Sequence, residues 1–131
     1  MVGDPIGDYI NRLKNAGAVK KETVSAPYSK TKEAISKLLK KEGYLGFVNV
    51  KGKSVKKDLE LGLVYDKDGS PKINEARRIS KPSRRIYKNS RKIRPVKFGK
   101  GMLVISTPKG IISGKTAKKE KVGGEVLFEI W

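Results

Sequence analysis

Between Arg77 and Lys100 the chain carries eleven basic residues and not one acid. No compact domain can bury such a run, because a charge taken out of water is costly unless it is paired and hydrogen-bonded. The segment must therefore lie on a surface, with the core built beneath it by other parts of the sequence. Pro82, Pro95 and Gly99 keep it irregular, while Ile79, Ile86, Tyr87, Ile93, Val96 and Phe98 supply apolar anchors. The bias extends to the whole chain, in which 31 Lys and Arg face 13 Asp and Glu for a net charge of +18 over 131 residues. Self-repulsion of that size opposes compaction, and a polyanionic partner is the simplest reason to carry it. The excess is uneven. Residues 1–65 hold 13 bases and 7 acids, whereas residues 66–131 hold 18 and 6.

Several classes of function are disfavoured by what the sequence lacks. Without cysteine there are no disulfides or thiolate metal sites, and without histidine the commonest general base and metal ligand is missing. No Walker-type glycine loop, GxSxG, HxH or CxxC occurs, and no pair of carboxylates has a setting that implies acid/base work. Asp66 and Asp68 flank a turn but lack the closing glutamate of a calcium loop. The reading is of a chain without catalytic residues, cofactor, metal or small-molecule substrate. A membrane partner is excluded by the lack of a spanning apolar stretch or a basic helix with a Trp/Phe/Leu face. Acids at Asp4 and Asp8 stand where a secretory signal would be basic and then apolar, so a cytoplasmic location is expected.

Asp4-Pro5 reads as an N-cap followed by proline at the first helical position. Ile6, Tyr9, Ile10 and Leu13 then form a stripe that stops near Gly17. A strand is expected over residues 23–26, and a second helix capped near Ser29, with Ala34, Ile35, Leu38 and Leu39 inward and Gly43 ending it. Residues 44–50 and 59–65 read as a hairpin turning at Lys51-Gly52-Lys53 and lying against the helices. The turn cluster at residues 66–71 is the proposed boundary between an N-terminal domain, residues 1–65, and a C-terminal domain, residues 66–131. Strands are expected at 73–79, 84–87, 103–107, 111–113 and 125–131, with one helix over about 114–121. Trp131 is expected to plug the core. The class is α+β: a small N-terminal α/β domain, two helices on a short sheet, then a mostly β C-terminal domain with one short helix.

The acid-free stretch reads as a phosphate-tracking surface. Tyr87, set among arginines, fits either base or ribose stacking or an ordinary strand position. Ser106 and Thr107 lie at the tip of a hairpin whose Thr107-Pro108-Lys109-Gly110 suits a type I turn. Their uncharged hydroxyls could add discrimination at base edges or 2′-hydroxyls. Glu125 is an acid in a basic region, able to pair with an arginine or accept from a base. A basic helix and Gly123-Gly124 precede it, the glycines permitting a tight reversal. Two rival readings are an architectural DNA-binding protein and an RNA-processing enzyme working without histidine. Competition between RNA and duplex DNA separates the first, and turnover of bound RNA the second.

Five segments in order resemble the bacterial small-subunit ribosomal protein S-eight family. They are Asp4-Pro5-Ile6-Gly7-Asp8 with Arg12 to Ala16; Pro27-Tyr28-Ser29-Lys30-Thr31-Lys32; and Arg78-Ile79-Ser80-Lys81-Pro82 with Arg85-Ile86-Tyr87. The last two are Ser106 to Gly110 and Val122-Gly123-Gly124-Glu125-Val126. The resemblance implies an N-terminal α/β and a C-terminal mostly β domain. It also implies direct binding to the central domain of 16S rRNA during assembly of the 30S platform. Carried over by motif, Ser106, Thr107, Pro108, Lys109 and Gly110 become the recognition loop, with Tyr87 and Glu125 beside it. Lys30, Lys32, Lys81, Arg85 and Lys88 become phosphate contacts. The resemblance further implies proteins S-five and S-twelve as neighbours, repression of the chain's own message, and a monomer when isolated. Ser83 departs from the family glycine after Pro82, and Lys115-Thr116-Ala117-Lys118-Lys119 from its acid and arginine.

Overall fold

The computed structural model describes residues 4–53 and 56–131. It contains two compact units, one of Asp8–Asn74 and one of residues 4–7 with Glu75–Trp131. The division falls later than the turn at 66–71, and the reason is local. Lys72 N donates to Val64 O at 2.8 Å and Tyr65 bridges to Pro71, which fasten that turn to the strand before it.

Helix α1 (Pro5–Ala18) begins as expected, since the Asp4 carboxylate accepts from Gly7 N at 3.1 Å. Strand β1 (Thr23–Pro27) leads to helix α2 (Lys30–Lys41), capped by Ser29, whose side chain accepts from Lys32 N. Strands β2 (Leu45–Lys53) and β3 (Lys56–Leu63) complete an antiparallel sheet in the order β1-β3-β2. Lys51, Gly52 and Lys53 pair with Asp58, Lys57 and Lys56, so they extend the ladder instead of forming the expected turn. Residues 54 and 55 lie outside the described residues.

The core of this unit is Tyr9, Ile10, Leu13, Ile35, Leu39, Leu59 and Leu61, each at most 3% exposed. Such side chains contribute roughly 1.5–3 kcal/mol each when fully buried. One polar chain runs through it. Tyr9 lies 2.6 Å from Ser36 Oγ, and Ser36 donates to Lys32 O at 2.7 Å, so the Tyr9 hydroxyl is the donor to Ser36. Burial pushes the Tyr9 phenol well above its usual range.

The second unit is a five-stranded antiparallel sheet built around its last strand. Strand β4 (Ala76–Arg78) and strand β5 (Tyr87–Lys88) both pair with β8 (Gly124–Ile130). The other edge of β8 takes β6 (Met102–Thr107), which continues to β7 (Gly110–Ser113). The strand expected over 73–79 is trimmed to three residues and the one expected over 84–87 gives way to Tyr87–Lys88, because β8 has a single free edge to share between them. Helix α3 (Gly114–Glu120) is capped by Ser113, which accepts from Thr116 N. With α3 packed on one face of the sheet, Ile93, Val96, Leu103, Ile105, Ala117 and Val126 close into a core against which Trp131 is partly buried. The loop between β5 and β6 ends in Lys97, Phe98 and Gly99, all left-handed at φ 48, 56 and 90. Phe98 is fully exposed there.

Candidate nucleic-acid interface

Strand register decides which side chains share a surface. In an antiparallel ladder, residues directly opposite each other project to the same face. Tyr87 stands opposite Glu125, and Glu125 opposite Ser106. These three form a row across β5, β8 and β6. Their neighbours Ile105 and Val126 are wholly buried on the other face, under α3. The row therefore faces away from the cluster under α3, and Tyr87 is 68% exposed. A shallow groove of about 590 Å³ opens over it, with Thr107 and Pro108 at one end and Asn89 at the other.

Glu125 organises this row. Its Oε2 accepts from Ser80 Oγ at 2.5 Å and from Arg85 Nη1 at 3.0 Å. Ser80 is completely buried, and its hydroxyl oxygen also accepts from Ile86 N at 3.1 Å. Burial raises the Glu125 carboxyl, but the bonds from Ser80 and Arg85 outweigh it and hold the group below its ordinary range. The carboxylate stays ionised at neutral pH and fixes Arg85, which is exposed and keeps donors beyond the one given to Glu125. The pairing role expected for Glu125 is what the geometry gives. Nothing in the sequence marks Ser80 as the partner of Glu125, since it is an uncharged residue inside a basic motif and 45 residues away.

The hairpin tip divides its two hydroxyls. Thr107 Oγ1 donates to Gly110 O at 2.8 Å and accepts from Lys109 N at 3.1 Å. Its donor is spent within the turn, and Gly110, at φ 112, completes the reversal. Ser106 is half-buried, and its hydroxyl has no hydrogen-bond partner among the described residues. Of the two, Ser106 is the one whose donor is free to read a ligand. Lys109 is exposed and paired with Glu120 at 3.4 Å.

Gly123 and Gly124 serve close approach rather than a reversal needing positive φ. A Cβ on Gly124 would lie 2.0 Å from Ser106 O, and one on Gly123 2.5 Å from Lys88 O. Neither has positive φ. The two glycines let β8 draw the Tyr87 and Ser106 strands together, which is what makes the row continuous.

The expected phosphate contacts are scattered. Lys88 is exposed on β5. Lys81 and Arg84 exchange backbone bonds of 3.0 and 2.9 Å around Pro82-Ser83, a turn in which Ser83 needs no positive φ. Its serine in place of the family glycine is accommodated without strain. In the other unit, Lys30 is exposed on the first turn of α2, but Lys32 is only 7% exposed and offers little surface to a phosphate. Within α3, Lys118 donates to Ile93 O at 3.2 Å, while Lys115 and Lys119 are exposed.

No group of His, Cys, Asp or Glu able to hold a metal is present among the described residues, and no helix there is long and apolar enough to cross a membrane. The family model of "Ribosomal protein S8" matches residues 4–131. "Small ribosomal subunit protein uS8" of Helicobacter pylori (strain ATCC 700392 / 26695) is 40% identical over 131 residues, covering 100% of both chains. The protein of the same name from Prochlorococcus marinus (strain MIT 9301) is 43% identical over 129 residues, covering 98% of this chain and 97% of its own.

Proposed function

The chain belongs to the ribosomal protein S8 family, a structural and non-catalytic component of the small ribosomal subunit, and from that premise we propose that its exposed row reads one irregular helix. The target is the central domain of 16S rRNA, bound directly and early enough to help assemble the 30S platform. Tyr87 stacks on a base or ribose, Ser106 hydrogen-bonds a base edge or 2′-hydroxyl, and Glu125 holds Arg85 against a phosphate. Thr107, Pro108, Lys109 and Gly110 keep the loop in shape. Lys88, Lys81, Lys30 and, to a smaller degree, Lys32 add phosphate contacts. The same surface would let the chain repress its own message where that message mimics the rRNA helix. Proteins S-five and S-twelve are its proposed neighbours, the cytoplasmic ribosome its location, and a monomer its free state.

The observation that carries this reading is the alignment of Tyr87, Glu125 and Ser106 on one open face bordered by an acid-free cationic segment. Charge alone would suit DNA equally well. A free hydroxyl and an exposed ring in one row suit an RNA surface better, where 2′-hydroxyls and unstacked bases are on offer. The test is footprinting of the purified protein on whole 16S rRNA, with protection expected in one central-domain helix. Ser106→Ala should cost about 1–3 kcal/mol on that helix and little on random duplex. Lys88→Ala should weaken both and lower the salt slope by about one counterion. Equal losses on both RNAs for Ser106→Ala, or stronger binding to duplex DNA than to the helix, would overturn the reading.

A further inference from the structure

Strand β5 is two residues long, and alternation sends its side chains to opposite faces of the sheet. Tyr87 joins the row just described. Lys88 projects to the face that carries α3, where a second cleft of about 440 Å³ lies. Its walls combine half-buried Ile79 and Ile86 and buried Val96 with the exposed cations Arg84, Lys88 and Arg94. The one acid lining it, Glu129, is already taken by Arg77 at 2.6 Å. Arg84, Lys88 and Arg94 have no carboxylate partner among the described residues. The result is an apolar floor under a rim of unneutralised positive charge.

We propose that this second cleft seats one unpaired nucleotide of the bound RNA, its base against Ile79, Ile86 and Val96 and its phosphates on Arg84, Lys88 and Arg94. The inference rests on the RNA reading of the first groove. Lys88 lines both clefts, so a strand leaving the first crosses the sheet edge at β5 and enters the second without losing cationic contact. Only a single strand can make that crossing. A duplex is far too stiff to turn around an edge one strand wide. Apolar walls suit a base taken out of its stack, which such sites hold between apolar side chains while paying its unstacking cost elsewhere. A purely electrostatic phosphate site would have no use for them. An acidic protein segment would match the rim but would leave the floor without a partner.

The test compares the 16S central-domain hairpin closed by a blunt stem with the same hairpin carrying a short uridine extension on one strand or the other. Wild-type protein should bind an extended RNA roughly tenfold more tightly, the order expected for a single seated base. The double variant Arg84→Gln/Arg94→Gln should lose that gain entirely, while its affinity for the blunt hairpin falls far less, only by the general attraction of two removed charges. Both residues are exposed, so the core is untouched. An extension of abasic nucleotides should recover only a small part of the gain. The proposal is overturned if no extension tightens binding, if the double variant weakens both RNAs equally, or if the abasic extension works as well as uridine. Stronger capture of a polyglutamate peptide than of oligouridine would assign the cleft to protein and overturn it too. Failure of the first groove reads out separately, as loss of preference for the blunt hairpin over random duplex. Binding of free oligouridine that the double variant abolishes would then sustain the cleft alone.

Discussion

The two units solve the same problem, a small sheet in a heavily cationic chain, with different materials. The unit of Asp8–Asn74 carries 15 bases against 8 acids and is held by large side chains meeting between helices and sheet. Its ion pairs, Asp8–Arg12, Glu33–Lys37 and Lys51–Glu60, are exposed on at least one side and contribute little. The other unit carries 16 bases against 5 acids. Its carboxylates are used sparingly and at depth: Asp4 both caps α1 and takes Arg78 Nε at 2.9 Å, and Glu125 takes Ser80 and Arg85. Within its sheet Gly124 is packed against the backbone of the neighbouring strand, whereas Gly62 on the central strand of the first unit's sheet faces the Phe47 ring; the first unit's backbone-packed glycine, Gly52, lies at the far end of β2. Where acids are few, Asp4 and Glu125 each fix an arginine through more than one hydrogen bond, and exposed cations are left for a partner.

That contrast can be broken most directly at its glycines. Gly124→Ala drives a Cβ into the backbone of Ser106, which cannot step aside, whereas Gly62→Ala meets only the half-buried ring of Phe47 at 2.3 Å. We expect about 3 kcal/mol lost for the first and about 1 kcal/mol for the second, in chemical denaturation. Similar losses would show that the two sheets are equally tolerant.

A smaller effect follows from the buried hydroxyls. Ser80→Ala leaves the Ile86 amide without its acceptor and Glu125 with Arg85 alone of its two donors, and should cost about 2 kcal/mol together with RNA affinity. Tyr9→Phe removes a bond to an oxygen that stays satisfied through Lys32, and should cost about 1 kcal/mol with affinity unchanged. If Ser80→Ala lowers stability but leaves RNA binding intact, Glu125 does not position Arg85 for the ligand.

Smaller still, and of opposite sign, is the turn at Phe98. A phenylalanine held left-handed with its ring in solvent is strained, so Phe98→Gly should stabilise by about 0.5–1 kcal/mol in the same assay. A loss would mean that the ring makes contacts in the folded chain.

The slightest difference concerns acid. For Asp4, burial raises the carboxyl, but the Arg78 and Gly7 bonds win and the net is downward, as for Glu125. Groups held low in the folded state stabilise fully above their unfolded pKa, about 3.9 for Asp and 4.3 for Glu, and lose that contribution as pH falls through the folded values. Glu33, Glu60 and Asp68 are held low as well, by Tyr28, Lys51 and the Ser70 amide, but in the open, where salt screens the share owed to Lys37 and Lys51. Fluorescence of Trp131, the single tryptophan, reports the second unit. Its acid transition below about pH 4 should persist at high salt while that of the first unit, followed by circular dichroism, flattens.

Much of this was legible from residues whose physics is local. Asp4 and Ser29 cap the helices they precede, and the stripe of Ile10 and Leu13 is buried as its spacing requires. What could not be read depends on partners far along the chain. Glu125 meets Ser80 across 45 residues and Arg85 across 40. Whether residues 84–87 form a strand depends on how much of β8 remains unclaimed, which no local propensity records. The two hydroxyls at 106 and 107 look alike in sequence. Only the closed turn shows that one is spent.

The division of β8 between two scraps of strand has a consequence for a chain made faster than its RNA. A long bare edge invites a second molecule to add its own strand, the first step of aggregation. Here the outer margin of β8 is covered by two strands of three and two residues, so an approaching copy finds few open amides in a row. The feature that serves the ligand also keeps unliganded copies apart.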